Sequence, residues 1–477
     1  MNIIDLIIIA FYLFSMLGIG FYFLKKNKNT DDYYVGGRSM GSLHVGLSVV
    51  ATDVGGGFSI GLGGLGFIMG LSGSWMLFTG LLGAWLSAVI LIPRIHKMEN
   101  FKELYTFPQV LGTFYNKKVA ITAGIISGIG YIGFTSSQIL AGAKLASASF
   151  VNLELKTALI IMGVIVVVYT VLGGIKAVIY TDTVQWIILM AGLIFIGIPV
   201  SYYHLGGYDV IVRILPDEFF MMTNIKWQTI VNWLVTIIPI WFVGMTLYQR
   251  IYACRSEKEA KKAWFFAGIF EWPIMAFMGV ILGLFARVAA EQGLFAYLGY
   301  GTVESIDPEM GLPMLLRTVL PVGLMGLMMS AYFSAIMSTA DSCLMAASGN
   351  FLTDILSVFF PKLANGKNEL RISQFLTLIL GAFAVLLASY MQNVLELMLY
   401  SYAFMVSGLF VPLIGGLYLK RKSAAAALYS MLIGGTTTIA LIISGIDLPL
   451  GFDANIFGIS SSAITYFFVF YLTRPKS

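Results

Sequence analysis

Apolar residues in this 477-residue chain are gathered into runs of about twenty, separated by short polar segments. A run of that length is what an α-helix needs to cross the hydrocarbon core of a bilayer, and it is longer than a barrel strand requires. The pattern predicts one all-α polytopic domain over residues 1–477 with about thirteen transmembrane helices. Their approximate ranges are 3–24, 42–70, 73–93, 119–148, 157–174, 183–203, 229–249, 264–289, 312–345, 372–391, 394–419, 424–446 and 454–473.

The composition supports a membrane protein. Hydrophobic residues make up 58% of the chain and charged residues only 11%, whereas about a quarter of a soluble domain is charged. A soluble enzyme and a disordered chain are therefore excluded. The net charge of +5 comes from basic residues in short loops, which membrane topology explains without a nucleic-acid partner. The two cysteines, Cys254 and Cys343, are too few for a disulfide framework or a thiolate metal site.

The positions of the lysines and arginines predict the orientation. The first apolar run precedes Lys25, Lys26 and Lys28, which is the reverse of a signal peptide, so we expect a retained first helix. With the N-terminus outside and the C-terminus in the cytoplasm, 23 of the 29 basic residues fall on the cytoplasmic side. The six others are Lys144, Lys156, Arg213, Lys226, Arg287 and Arg317. The segment 250–263 is interpreted as a short amphipathic helix that serves as a solvated basic connector, with a partner-binding site as the alternative.

The second apolar run contains Asp53 followed by Gly55, Gly56 and Gly57. Consecutive glycines weaken a helix, and a carboxylate in mid-membrane is costly. Together they predict a helix broken near the membrane midplane, with backbone groups facing a cavity. The alternative is close helix packing through small residues, which leaves Asp53 unexplained.

A second interruption is predicted in the seventh run, where Pro239 and Gly244 weaken the helix. Interrupted helices at matching positions of two halves are typical of inverted-repeat transporters. We therefore expect a first repeat over 42–203 and a second over 229–419. The helix over 3–24 and the two helices over 424–473 would be peripheral.

The ninth run carries a group of oxygen-bearing side chains. They are Ser334, Ser338, Thr339, Asp341 and Ser342, at spacings that place them on one side of a helix. Hydroxyl, carboxylate and main-chain oxygens are the ligands that hard cations prefer. The group predicts an ion site, although any single hydroxyl can instead bond to its own helix.

Three further polar residues lie in apolar runs. Glu271 stands next to Pro273 and is expected to cap amides freed at a kink, with ion coupling as the alternative. Asp182 and Gln185 stand at the predicted start of the sixth helix, where capping of its N-terminus is the simplest interpretation.

Several motifs resemble the sodium/solute symporter family over nearly the whole chain. They are residues 31–38 (DDYYVGGR), 169–177 (YTVLGGIKA), 180–185 (YTDTVQ) and 338–342 (STADS). The resemblance implies a LeuT-type inverted repeat that imports small solutes with a sodium gradient. It implies a main sodium site at Ala51, Val54, Ala335, Ser338 and Thr339. It also implies a second sodium position at Asp182, Ser338, Asp341 and Ser342.

Two branches of that family are similar to this chain. The stretch around Gly55 resembles choline transporters, whereas Asp53 matches the acid of proline symporters. Tryptophans that wall the choline site are absent at Asp53 and near Gly244, so an amino acid or a small amine is the preferred solute. The expected substrate region comprises Asp53, Gly55, Gly56, Gly57, Phe58, Trp75, Phe78, Tyr131, Phe134, Gln138, Trp241, Met245 and Tyr402.

The sequence thus predicts a sodium-coupled secondary symporter in the cell membrane, with sodium and a small organic solute as partners and no cofactor. A proton-coupled carrier of the same fold is one alternative, because Asp53, Glu271 and Asp341 can carry protons. A solute sensor built on this fold is the other. An enzyme is not expected, since the three histidines are scattered and no nucleophile–base spacing occurs.

Overall fold

The protein is almost entirely helical. The computed structural model describes residues 2–24, 35–150, 153–172, 175–361 and 369–473. In the first half of the chain, six long helices correspond to the first six apolar runs. They are α1 (Ile3–Leu24), α2 (Ser42–Met69), α3 (Trp75–His96), α4 (Lys117–Ser149), α5 (Leu155–Leu172) and α6 (Ile175–Gly192, continued by the π-helical turn Leu193–Gly197 and by Ile198–His204).

Seven further helices follow in the second half, three of them built from more than one segment. They are α7 (α7a, Trp227–Val243, and α7b, Met245–Ala253), α8 (Glu257–Ile269, Phe270–Met275 and Ala276–Glu291), α9 (Leu324–Gly349 and Asn350–Leu356), α10 (Glu369–Tyr390), α11 (Val394–Tyr418), α12 (Ala424–Ser444) and α13 (Ala454–Leu472). Shorter helices at Phe107–Phe114, Tyr208–Ile214 and Pro308–Val319 lie between them.

The helix lengths and composition fit a membrane protein. In the described ranges, nine helices are long and apolar enough to cross a membrane, and the bent pair α7a–α7b makes a tenth. One of the nine, Ile60–His96, joins the second part of α2 to α3 through the turn Gly70–Ser74. Ile3–Met16 and Leu155–Val171 are shorter apolar helices. The all-helical architecture is confirmed, whereas a count of thirteen spans and the membrane orientation stay predictions.

Both predicted helix breaks are present. Gly55 leaves the helical conformation inside α2, with φ +44° and ψ −163°. Gly244 is extended (φ −66°, ψ 115°), and α7a and α7b meet there at an angle of 44°. The two interruptions agree with the inverted-repeat hypothesis, whose boundaries at 42–203 and 229–419 stay a prediction.

Two predicted boundaries are wrong. The single ninth helix over 312–345 is two helices, because the chain is extended at Leu320 and turns through Gly323, whose φ is +90°. The segment 250–263, predicted as one short amphipathic helix, is helical but is divided between the ends of two longer helices. Arg250 belongs to α7b, and α8 begins at Glu257 after Ser256, whose hydroxyl accepts a hydrogen bond from the Glu259 amide.

Helix α2 lies between α8 and α9, and glycines permit the close approach. A Cβ at Gly56 would overlap Ile336 of α9, and one at Gly66 would overlap the Val280 backbone of α8. Close packing through small residues and the broken helix therefore occur together in α2, rather than as alternatives.

The start of α2 is fixed to the neighbouring helices. Met40 donates its amide to the Ala253 carbonyl (2.9 Å) and accepts from the Arg255 amide (3.1 Å), forming a short parallel β-bridge with Cys254. The carboxylate of Glu259 accepts the first free amide of the helix, from Ser42 (2.7 Å). The N-terminal part of α2 is thereby attached to the end of α7b and the start of α8.

Candidate functional site

The break in α2 faces the hydroxyl-rich part of α9. The Thr339 hydroxyl lies 2.9 Å from the Ala51 carbonyl oxygen and 3.1 Å from the Ala335 carbonyl oxygen. One hydroxyl has one proton and can donate to only one of these carbonyls at a time. The Thr339 hydroxyl oxygen and the two carbonyl oxygens therefore lie close together, with one hydroxyl proton among them. They lie beside Gly55, where an added Cβ would be 2.6 Å from Thr339 Oγ1. This is a suitable arrangement for a hard cation.

A second polar group begins at Ser338, the residue before Thr339 in α9. Ser338 donates to Asp182 of α6, and Ser48 of α2 donates to the other oxygen of the same carboxylate (2.5 Å). Ser338 is thus directed to the Asp182 group rather than to the carbonyls of Ala51 and Ala335. Asp182 is fully buried. Capping of the α6 N-terminus does not describe Asp182, because that helix already begins at Ile175.

Arg250 lies inside this second group, and its side chain is fully buried. Its guanidinium donates to Ser48 Oγ (3.0 Å) and to Thr52 Oγ1 of α2. It also donates to Asp182 Oδ2 (3.4 Å) and to Ser342 Oγ of α9 (3.1 Å). One side chain therefore connects α2, α6, α7b and α9.

Sequence analysis missed Arg250 because it precedes a basic segment and was counted as a loop residue. The apolar stretch Ile251, Tyr252 and Ala253 after it indicates that the buried helix continues. A buried Asp182 also requires a positive partner. These two signals together could have identified the arginine.

Asp341 is buried next to the same group. The Thr170 hydroxyl beside it bonds to the Val166 carbonyl of its own helix (2.8 Å). Neither Asp341 oxygen accepts a well-formed hydrogen bond from the described side chains or backbone. The group thus contains two carboxyls, Asp182 and Asp341, and one guanidinium, that of Arg250.

Asp53 faces a residue that sequence analysis placed elsewhere. Its carboxyl lies near the carboxyl of Glu271 in α8, where the backbone is non-helical at Trp272. Asp53 Oδ2 and both Glu271 oxygens are buried and receive no hydrogen bond from the part of the chain that the structure describes. Glu271 therefore does not cap freed amides, and that expectation is wrong.

Three aromatic side chains of the expected substrate region form a row of ring contacts near Asp53. Tyr131 and Phe134 of α4 have ring centroids 6.3 Å apart, and Phe134 meets Tyr402 of α11 edge-on at 5.1 Å. Tyr131 and Tyr402 both lie close enough to Asp53 for electrostatic interaction. The Tyr131 hydroxyl also accepts the Thr246 amide (3.1 Å), which connects this wall to the break in α7.

Other members of the expected substrate region contact different parts of the protein. Trp75 donates to the Met222 carbonyl (2.8 Å), and Met245 accepts the Phe107 amide (3.3 Å). Trp241 packs against Gly83 and edge-on to Trp264. Phe78 contacts Trp272, the neighbour of Glu271 (5.1 Å), and Gln138 is buried within α4 beside Ser137. Phe78 thus lies beside the neighbour of Glu271.

Some predicted positions lie outside the described residues. The side chains of Val54, Gly57 and Phe58 are not described. Residues 31–34 of the motif 31–38, and Gly173 and Gly174 of the motif 169–177, also lie outside the described ranges.

Comparison with known proteins agrees with this geometry. Residues 33–434 match the profile of the sodium:solute symporter family. The chain is 30% identical to the high-affinity proline transporter of Bacillus subtilis, over 97% of each protein. It is 27% identical to the sodium/proline symporter of Escherichia coli, over 91% of this chain and 87% of that protein. Both relatives are consistent with the proline-symporter-like branch.

The fold is also that of a solved transporter. A structure described as the substrate-bound, outward-open state of a Na⁺-coupled sialic acid symporter superposes with a TM-score of 0.80. It covers 100% of this chain and 99% of the other at 22% identity. The predicted transporter architecture is thereby confirmed at the level of the fold.

Proposed function

The chain belongs to the sodium:solute symporter family, and from this membership we propose that it is a sodium-coupled secondary symporter that imports a small organic solute by alternating access. It acts in the cell membrane, with the N-terminus outside and the C-terminus in the cytoplasm. The observation that carries the proposal is the convergence of Thr339 with the carbonyls of Ala51 and Ala335.

The main sodium ion binds where these three oxygens meet. The Val54 carbonyl, directly before the break at Gly55, is a further ligand. The Ser338 hydroxyl completes the set when it turns from Asp182, to which it donates in this structure, towards the ion. Because the Ala51 and Val54 carbonyls come from α2, and the Ala335 carbonyl and the hydroxyls come from α9, a bound ion holds the two helices together. The bound ion thereby fixes the conformation of α2 at the break, which borders the expected substrate region.

A second sodium ion binds beside Asp182, Ser338, Asp341 and Ser342. Charge supports this site, because Asp182 and Asp341 carry two negative charges and Arg250 only one positive charge. One monovalent cation neutralises the group. Arg250 is therefore a permanent part of the site, and the ion is the exchangeable part.

Coupling follows from these shared elements. Sodium and solute both bind against the interrupted α2, so each raises the affinity of the other by the same factor. High external sodium favours the loaded state, and low internal sodium releases both ligands. The solute is an amino acid or a small amine, which the carboxylate of Asp53 and the proline transport of the relatives support.

Thermal stability of the purified protein tests the proposal. It is measured in NaCl and in KCl at equal ionic strength, with a panel of amino acids, amines and sugars. We expect sodium alone to raise the melting temperature and one class of compound to raise it further, because a ligand of the native state stabilises by mass action.

Two results would contradict sodium symport. If the melting temperature is the same in NaCl and in KCl with every compound, sodium does not bind and is not the coupling ion. Uptake driven by a pH gradient in sodium-free buffer would assign the role to protons, for which Asp53 and Glu271 are the nearest facing carboxyls.

A further inference from the structure

Asn455, the second residue of α13, is buried and makes three hydrogen bonds to two other helices. Its Nδ2 donates to the Val235 carbonyl (3.1 Å) and to Thr236 Oγ1 (3.0 Å), both in α7a. Its Oδ1 accepts from Ser407 Oγ of α11 (2.8 Å). The two N–H groups of the amide are both used, and a flipped amide would place its oxygen against the Val235 carbonyl oxygen, which cannot donate. The surroundings therefore fix one orientation of this side chain.

The Val235 carbonyl accepts this bond because of the proline in α7a. In an α-helix the carbonyl of residue 235 pairs with the N–H four residues later, at position 239. Pro239 has no N–H, so the usual helical partner of the carbonyl is missing. Asn455 thus supplies from α13 the hydrogen bond that Pro239 removes from α7a.

The loop before α13 is also bonded to α7a. The side chain of Asn232 donates to the Gly451 carbonyl (3.2 Å) and accepts from the Asp453 amide (3.1 Å). Trp227, at the start of α7a, packs edge-on against Phe452 at 5.6 Å. Together with the bonds of the buried asparagine, these contacts attach α7a to the α12–α13 hairpin (residues 424–472) along about two helical turns.

The same hairpin is packed closely onto α11. Thr438 of α12 donates to Ser407 Oγ (2.7 Å), the hydroxyl that in turn donates to Asn455. A Cβ at Gly434 would overlap the Ser407 carbonyl, and one at Gly458 would overlap the Thr438 and Ser407 hydroxyls. One buried polar network therefore joins α7a, α11, α12 and α13.

These four helices contribute to the wall of a cavity of about 900 Å³. Thr236 and Asn455 line it beside Ala403 of α11, and it also borders Gly61 and Gly64 of α2, beyond the break. We call it the acidic cavity, because it is lined by the carboxylates of Asp307, Glu309, Glu396, Asp447 and Asp453. A movement of α7a that is shared by the hairpin therefore changes the shape of this cavity.

We infer that α7a moves together with the α12–α13 hairpin and α11 during transport, and that Asn455 is the residue that positions α7a in this body. The inference rests on the proposed symport. The break at Gly244 is then the hinge, since α7b on its other side is bonded to the N-terminal end of α2. Two helices that the sequence predicts to be peripheral thus take part in transport.

A cycle of two substitutions in the full chain separates positioning from simple structural support. Asn455→Leu leaves the Val235 carbonyl unpaired, and Pro239→Ala provides an N–H that pairs with it inside α7a. We expect Asn455→Leu to lower the melting temperature, and to lower it less in the Pro239→Ala background. We expect Asn455→Leu to reduce turnover by about tenfold in both backgrounds, because Pro239→Ala restores the hydrogen bond but not the connection to α13.

Turnover is measured as sodium-driven uptake of a mixture of labelled amino acids, proline included, by proteoliposomes. A second measurement needs no solute. Leu399→Cys places a thiol on the wall of the acidic cavity, and both native cysteines are buried, so the rate of alkylation by a maleimide reports on the cavity. NaCl in place of KCl should change this rate, and the change should be lost when Asn455→Leu is added.

An exposed position on the same helix supplies the control. Ser460 of α13 bonds only to the Ile456 carbonyl of its own helix, so Ser460→Leu should leave turnover and the alkylation response unchanged. If Asn455→Leu does not fold, Asn232→Leu takes its place. It removes the two loop bonds to α7a and should reduce uptake and the alkylation response in the same way.

The outcomes are distinct. Recovery of turnover together with stability in the Pro239→Ala background would show that Asn455 only pairs a carbonyl, and would overturn the inference. A sodium-dependent alkylation response that Asn455→Leu leaves intact would overturn it as well. The proposed symport is tested separately by stabilisation of the wild-type protein in NaCl. Asn455→Leu should retain that stabilisation, because the proposed sodium ligands belong to α2 and α9.

Discussion

Arg250 and Asp182 form an ion pair with an N–O distance of 3.4 Å in which both side chains are fully buried. The arginine is further held by three hydroxyls and a main-chain carbonyl. A buried pair of this kind contributes more to defining the arrangement of helices than to net stability, because desolvation offsets most of its attraction. Loss of one partner alone leaves an uncompensated charge.

The first prediction concerns that ion pair. Arg250→Met should lower the free energy of unfolding by about 3–5 kcal/mol, since Asp182 is then buried without its partner. Arg250→Met combined with Asp182→Asn should recover part of the loss. Thermal or denaturant unfolding of the single and double variants measures the coupling.

An exposed ion pair supplies the control. Lys261 and Glu257 are 2.6 Å apart on the surface of α8, and Lys261→Met should cost less than about 1 kcal/mol. Equal losses at Arg250 and Lys261 would contradict a structural role for the buried pair.

Thr339→Val should weaken apparent sodium affinity by at least about tenfold, because it replaces a ligand oxygen with a methyl group of similar volume. Sodium dependence of solute uptake in proteoliposomes measures the change. Thr339→Ser keeps the oxygen and should stay close to wild type. An unaltered sodium dependence in the valine variant would remove Thr339 from the site.

Gly55→Ala should disrupt the break in α2. A φ of +44° costs an alanine about 1–2 kcal/mol, and its Cβ would lie 2.6 Å from Thr339 Oγ1 and 2.8 Å from Thr339 Cγ2. We expect lower stability and loss of the sodium-dependent thermal shift. Gly301→Ala, where nothing lies within 4 Å of the new Cβ, is the matched control and should behave as wild type.

Glu309 connects two helices near the acidic cavity. It pairs with Lys144 (2.6 Å) and accepts the amides of Val394 and Leu395 (2.9 Å each), which are free donors at the start of α11. Glu309→Ala should destabilise the protein by about 3 kcal/mol and speed hydrogen exchange at the start of α11. Glu396→Gln, on the first turn of the same helix, should have little effect. Slow exchange retained in the alanine variant would contradict the capping role.

The sequence predicted features that arise from the chain's local chemistry. Three glycines after Asp53 indicated a break, and the break is at Gly55. Hydroxyls at helical spacing indicated a polar face on α9, and Thr339 faces the carbonyls of Ala51 and Ala335. Such signals depend on residues close together in the chain, so periodicity and residue type were sufficient to find them.

Partners distant in the chain could not be predicted in this way. Arg250 appeared to belong to a loop, although it contacts residues of α2, α6 and α9. Glu271 appeared to serve its own kink, although it faces Asp53 more than two hundred residues away. A hydrophobic pattern shows that a residue is buried but does not show which neighbour buries it. For Arg250 the further signal was the need of a buried Asp182 for a positive partner, whereas the sequence held no comparable signal for Glu271.

The short β-bridge between Met40 and Cys254 consists only of main-chain hydrogen bonds. Substitutions at these positions therefore leave the bonds available, and the attachment does not depend on the identity of either side chain. It fastens the N-terminal end of α2 to the C-terminal end of α7b. A rocking motion that separated the two ends would have to break those bonds, so we expect the halves of α2 and α7 on this side of the two breaks to turn together as one rigid unit during transport.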